Sequence, residues 1–409
     1  MGAPAARVSE LSRRWVEAGH QVTVLTGFPN HPDGVVRPEY RKQFYGGVYR
    51  EELDGVEVIR TWLLPFPNRK PYERILNYSS FCVSAARTGS FLDTPDVVIA
   101  TSPQLLVGLA GWWISQLKRV PFVLEIRDLW PESLAAVGVG KSSSLMHRLL
   151  AKLVGFLYRK ADHVVVVTPG FRKHLIQSWQ VPPQKISTVL NGVETNLFSP
   201  NSGDSNLRAA LSGEAKFVVS YIGTVGLAHG LETVVKAAER LQTAAPEVLF
   251  LVVGDGAERT RIVSAAREKN LSNIHFIPQQ LREKIPLYIC ASDACLVLLK
   301  KSEVFETVIP TKMLEFMSCG RPVIVGVDGQ ARSIVETSQS GVYVPAENPD
   351  ALCDAVLHLS QRPALRQAMG RNGREYIVQN LSRQRTAEDY LRVLCSLMGK
   401  NAAATQAAA

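Results

Sequence analysis

Six cysteines lie scattered through the 409 residues, at positions 82, 290, 295, 319, 353 and 395, and no two form a Cys-x-x-Cys pair. They read as buried free thiols in a reducing cytosol. No secretory signal opens the chain. No apolar run reaches the length of a membrane span, and Leu105 to Leu117 falls short of one. Asp-x-Asp occurs nowhere, so a carboxylate-held divalent metal is not implied. No basic run is interleaved with aromatic residues, which argues against nucleic acid as a partner. A strand and glycine loop ahead of the first helical stretch are also missing. Ala5 to Ala18 reads as an amphipathic helix, whereas in an alternating α/β domain a strand normally precedes it.

What is present is a mildly basic globular composition. Lys plus Arg number 46 against 37 for Asp plus Glu, a net charge of +9. Up to Pro200 the counts are 23 and 16, a surplus of +7, against 23 and 21 beyond it. The first half therefore carries the basic excess, which suits a phosphorylated partner or an anionic membrane surface, or forms an ordinary solvated face. The stretch Ser142 to Lys160 concentrates it. Leu145, Met146, Leu149, Leu153 and Phe156 alternate there with Arg148, Lys152 and Lys160, a pattern open to a membrane-surface helix or a core stripe with a solvated face.

The periodicity predicts two α/β alternations. In the first, apolar strands are expected at Gln21 to Thr26, Asp96 to Thr101, Phe122 to Ile126, Val164 to Val167 and Ile186 to Leu190. Asn30 and His31 fall in a loop just after a strand, and Arg127-Asp128 follow the strand Phe122 to Ile126. Ligands of open parallel sheets bind at such carboxyl ends, which makes Asp128 a catalytic candidate unless it merely caps the next helix. Ser199 to Ser205 has linker composition. The second alternation has strands at Phe217 to Ile222, Val248 to Val253, Ile274 to Ile277 and Ala294 to Leu299. Gly223-Thr224-Val225-Gly226 and Gly254-Asp255-Gly256 stand at strand exits, where glycines let backbone amides approach a diphosphate. In Phe305 to Val325, Pro310 fits the first helical position. Thr311, Lys312 and Glu315 then share a helix face, with Met313, Leu314, Phe316 and Met317 on the buried side. A helix start plus Lys312 suits a phosphate, and Glu315 suits ribose hydroxyls.

These residues together resemble glycosyltransferase family 4. The resemblance rests on IRDLWPES (126–133), VLNGVETNLF (189–198), YIGTVGLAHGLETVVKAA (221–238), VVGDG (252–256) and FETVIPTKMLEFMSCGRPVIV (305–325), and it covers nearly the whole chain. With GFPNHPDG near the start, the versions of these motifs look like those of bacterial O-antigen and capsule fucosamine transferases. The resemblance implies the α/β GT-B fold, two doubly wound Rossmann-like domains with a cleft between them, here with the first strand of the N-terminal domain absent. Residues 1–198 would form the acceptor domain, 199–205 the linker and 206–378 the nucleotide-sugar domain. Residues 379–399 would form a helix returning to the first domain, and 400–409 a disordered tail.

It further implies a retaining transfer without metal or other cofactor. An N-acetylated or deoxyamino hexose would pass from a nucleotide sugar, UDP-linked, to a polyprenyl-diphosphate-linked saccharide at the inner face of the cytoplasmic membrane. Donor contacts would come from Gly223, Thr224, Gly226, Gly254, Asp255, Gly256, Glu306, Thr311, Lys312 and Glu315. Asp128 would orient or deprotonate the acceptor, with Arg127, Asn30 and His31 beside it. His229 stands between a catalytic diphosphate contact and a helix-capping role. Three motifs depart from the family pattern. Thr224 and His229 occupy places often held by Arg and Lys, Thr307 and Glu306 displace the first of two glutamates, and Arg127 replaces a His before Asp128. A nucleotide-sugar 2-epimerase and a non-catalytic binding protein are the alternatives.

Overall fold

A computed structural model describes residues 3–30, 34–67, 70–133, 145–213 and 217–408. The chain divides into two compact units. One holds residues 6–133, 145–189 and 387–408, and the other holds residues 3–5 and Leu190–Thr386.

In the first unit, helix α1 (Ala3–Glu17) leads into β1 (Thr23–Gly27), which lies parallel to β3 (Val56–Thr61), itself antiparallel to β2 (Val48–Leu53). Helix α2 (Pro71–Ser90) follows, then β4 (Val98–Thr101), helix α3 (Leu105–Lys118) and β5 (Phe122–Ile126). Helix α4 (Leu145–Lys160), β6 (His163–Val166) and β7 (Ile186–Thr188) complete the alternation. The strands form two sheets, β1-β3-β2 and β4-β5-β6-β7, with β1 and β4 each at an edge.

Side chains of β5 alternate between two layers. Val123 packs with Leu11 and Trp15 of α1 and with Ala387, Tyr390 and Leu394 of the C-terminal helix. On the other face, any side chain on Gly111 of α3 would collide with Ala100 and Phe122. The C-terminal helix runs from Arg383 to Ala408. The alanine-rich end expected to be disordered thus continues the helix, in line with the high helix propensity of alanine.

The second unit carries one parallel sheet ordered β10-β9-β8-β11-β12-β13. Its strands are β8 (Phe217–Ile222), β9 (Val248–Val253), β10 (Ile274–Ile277), β11 (Ala294–Leu298), β12 (Val323–Gly326) and β13 (Gly341–Tyr343). Both faces are buried. Phe217, Val219 and Tyr221 enter one core with helix α5 (Glu232–Ala244), while Val218 and Ile222 enter a second with helix α6 (Thr311–Ser318). This explains why these strands read as continuous apolar runs. The three-residue β13 is too short to register in such a reading. Pro310 sits just outside α6 as its N-cap, with ψ 123°, and the helix begins at Thr311. The strand order reverses between β8 and β11, where open α/β sheets receive ligands.

Candidate functional site

At the reversal point, the loop leaving β8 is laddered onto the loop leaving β9. Gly223 N donates to Val253 O at 2.9 Å and Val225 N to Asp255 O at 2.9 Å. Gly254 and Gly256 adopt φ of 145° and 154°. A Cβ on Gly254 would lie 2.0 Å from Gly223 O, and one on Gly256 2.4 Å from Val225 O. Here glycine is required by backbone-to-backbone packing of the two loops. The Asp255 carboxylate is exposed and accepts from Gly256 N at 2.7 Å.

Lys312, on the first turn of α6, reaches the β8 exit. Its Nζ donates to Tyr221 Oη at 2.8 Å and lies 4.0 Å from the centre of that ring, while Tyr221 Oη donates to Thr224 O at 2.6 Å. Lys312 is also the side chain nearest to Gly223. Burial pushes Lys312 down to about 7, against the pull of Glu315 in the other direction. The ring of His229 stands 6.0 Å from that of Tyr221. Burial, then the charge of Lys312, push His229 down to about 3, so the imidazole is neutral at physiological pH. No side chain caps the start of α5, where the N-cap is Leu231. His229 Nδ1 is buried without a hydrogen-bond partner among the described residues. Glu315 accepts from Arg282 Nη1 at 2.9 Å, and the Arg282 guanidinium in turn lies 5.0 Å from the Phe198 ring centre. Thr311 is partly exposed at the start of α6, and Glu306 belongs to the preceding short helix Glu303–Glu306.

In the first unit, Arg127 and Asp128 leave the carboxyl end of β5. Ser102 Oγ, at the end of β4, accepts from Arg127 N at 2.7 Å. Beneath them Glu125 is buried, accepting from Arg7 Nε and Nη2 of α1 at 3.0 and 2.8 Å and from Thr101 Oγ1 at 2.6 Å. Burial would raise the Glu125 carboxyl, but Arg7, Arg127 and the Thr101 hydrogen bond outweigh it and hold the group below its usual range. Asp128 reaches solvent on one side and is crowded by protein on the others. That crowding raises it to about 6, against the opposing charge of Arg127. Glu132, at the end of the same motif, accepts from Trp179 Nε1 at 3.1 Å and meets His174 Nε2 at 3.0 Å, which gives it a packing role. Asn30 lies in the loop after β1, where its carbonyl accepts from Gly34 N, and so belongs to the other sheet. His31 lies outside the described residues.

The structure thus groups Lys312, Gly223, Thr224, Gly226 and His229 around Tyr221, and separately groups Arg127 and Asp128 over Glu125. Four contributors escaped sequence reasoning: Tyr221, Arg282, Arg7 and Glu125. A lone carboxylate inside the apolar strand FVLEI was the available signal for Glu125; Tyr221 resembled any other strand residue.

Residues 2–192 match the model of the glycosyl transferase 4-like domain, and residues 204–376 that of glycosyl transferases group 1. WcaI of Escherichia coli (strain K12), a glycosyl transferase provisionally assigned to colanic acid biosynthesis, is 24% identical over 356 residues, spanning 83% of this chain and 84% of that protein. Among solved structures, a sucrose-phosphate synthase from Thermosynechococcus elongatus superposes with a TM-score of 0.77 at 22% identity, covering 98% of this chain and 94% of the other. Anabaena HepE, in complex with UDP and glucose, gives a TM-score of 0.68 at 17% identity, covering 92% and 100%. The chain belongs to glycosyltransferase family 4 and has the GT-B fold.

Proposed function

We propose that the chain transfers a sugar, an N-acetylated or deoxyamino hexose, from a UDP-linked donor to a polyprenyl-diphosphate-linked saccharide, with retention at the anomeric carbon. The observation that carries this reading is the Lys312 amine, held by Tyr221 against Gly223 at the reversal point of the second sheet. In the transfer, the bond from the anomeric carbon to the diphosphate oxygen breaks and a bond to an acceptor oxygen forms on the same face. Negative charge grows on the departing diphosphate. Lys312, the amides of the Gly223–Gly226 loop and the start of α6 are the groups that meet it. Neutral His229 contributes a hydrogen bond rather than a charge. Glu315, steadied by Arg282, serves the ribose, and the Gly254–Gly256 loop the base side. Asp128 orients the acceptor hydroxyl and takes its proton, with Arg127 beside it. The UDP and glucose held by HepE support the donor class, and the name of WcaI supports polysaccharide synthesis.

Calorimetric titration with UDP, GDP and ADP tests the donor, with UDP expected to bind most tightly. Lys312→Ala is expected to lower transfer by at least roughly a hundredfold, the scale of one charge-stabilising group. Near-unaltered turnover would remove Lys312 from the mechanism. Analysis of the donor sugar without acceptor separates transfer from epimerisation, because only an epimerase alters that sugar.

A further inference from the structure

Helices α2, α3 and α4 cover one side of the first unit's sheets and meet each other edge to edge. Trp113 Nε1 of α3 donates to Ser90 Oγ of α2 at 3.3 Å, and Trp112 of α3 packs edge-on against Phe156 of α4, 5.0 Å between ring centres. Their outward side is not an ordinary polar surface. On α2, Tyr72, Leu76 and Val83 fall on one stripe, continued by Phe91 just beyond its end; Val83 is 69% and Phe91 83% exposed. Beside them on α3 stand Trp113, 52% exposed, and Leu117 one turn on. On α4, Leu145, Met146 and Leu149 are exposed together. Monomeric soluble proteins seldom leave such contiguous apolar area open without a use for it.

Charge identifies what covers this surface. The three helices contain seven Lys or Arg (Arg74 and Arg87, Lys118, then Arg148, Lys152, Arg159 and Lys160) and a single acid, Glu73. Glu73 is buried and accepts from Lys70 N at the helix start. The acids adjoining the helices are Asp93 and Asp96 in the loop after α2 and Asp162 just after α4. Two copies of the chain pairing through this face would set like charges against each other, because a two-fold interface joins a patch to itself. An anionic lipid surface accepts both components. Aliphatic and aromatic tips enter the headgroup boundary while basic side chains stay among the phosphates. Among the described residues no helix is long and apolar enough to cross a bilayer, so contact of this kind lies along the surface.

We propose that the joint outer face of α2, α3 and α4 docks the first unit onto an anionic membrane. This deepens the proposed function and rests on it for its purpose, since a polyprenyl-linked acceptor resides in a bilayer. The amphipathic pattern of α4 left such a surface open in the sequence, beside a core stripe with a solvated face. The structure extends it to α2 and α3, whose exposed stripes were indistinguishable from core positions.

The test is flotation of the full chain with phosphatidylcholine vesicles, with and without phosphatidylglycerol, in the absence of donor. Binding is expected only to the anionic vesicles and is expected to weaken as salt rises. Arg148→Glu with Lys152→Glu should lower partitioning by at least about twentyfold, taking roughly fivefold for each basic residue lost. Val83→Glu and Trp113→Glu should each abolish most of the binding while leaving UDP affinity and the denaturant unfolding profile unchanged, the latter certifying that the first unit folds. Unaltered flotation of these variants, no flotation of the parent chain, or a parent dimer that Val83→Glu dissociates would each overturn the proposal. Since UDP titration is read independently, loss of donor binding with flotation intact would count against the proposed function and not against docking.

Discussion

At the scale of single residues, the two titratable groups of the candidate sites bracket neutrality from opposite sides. Asp128 must be ionised to accept a proton, and burial of its carboxyl lifts it to about 6, with the charge of Arg127 opposing a larger rise. Lys312 must be protonated to meet a diphosphate, and burial brings it down to about 7. A lysine so depressed is charged below that value and neutral above it. UDP affinity of the free protein should therefore fall as pH rises through about 7, by roughly tenfold or more between pH 6 and pH 9, the scale of one hydrogen bond to a charged group. Lys312→Met should flatten this dependence. Transfer should lose its acid limb, at or below about pH 6, in Asp128→Asn together with most of its rate. A UDP affinity independent of pH in the parent chain would contradict the role given to Lys312. Tyr221→Phe removes the oxygen that accepts from the ammonium, so the same fall should move to lower pH.

At the scale of elements, the glycines and apolar runs were legible because their causes are local. Phe122 to Ile126, Phe217 to Ile222 and Val248 to Val253 read directly as strands, since buried parallel strands need apolar side chains on both faces. Lys312 and Glu315 were legible from helix spacing alone. Their settings were not. Tyr221 is 91 residues from Lys312 and Arg282 is 33 from Glu315, and no periodicity connects such pairs. The same holds for Arg7 and Glu125, separated by 118 residues, which tie α1 to β5 beneath Arg127. Their interaction makes a sharp prediction because both are buried. Arg7→Met leaves the Glu125 carboxylate without its bidentate partner and should cost about 3–5 kcal/mol in denaturant unfolding. Arg7→Met combined with Glu125→Leu should recover much of that loss, because no charge then stays buried alone. Equal destabilisation by the single and double variants would show that packing, not charge pairing, holds α1 in place.

At the scale of the molecule, the chain leaves its first unit at Val189 and returns to it at Ala387, so that unit depends on residues nearly 200 positions apart. The returning helix inserts Tyr390 edge-on against Trp15, 5.3 Å between ring centres, and Trp15 Nε1 donates to Ala387 O at 3.1 Å. Tyr390 is 1% exposed, and its replacement by alanine opens a cavity among Leu11, Val123 and Val165 that should cost about 3–5 kcal/mol. The residues proposed to hold the donor all belong to Leu190–Thr386. Hydrogen exchange distinguishes the two units in a single experiment. Saturating UDP should protect amides of residues 223–230 and 311–318, with a stabilisation of about 2.7 kcal/mol at a hundredfold excess over Kd. Tyr390→Ala should instead hasten exchange in α1 and β5 and leave UDP protection unchanged. If Tyr390→Ala removed that protection, the donor site would require the first unit, and confining it to Lys312, Tyr221 and the loops of the second sheet would be wrong.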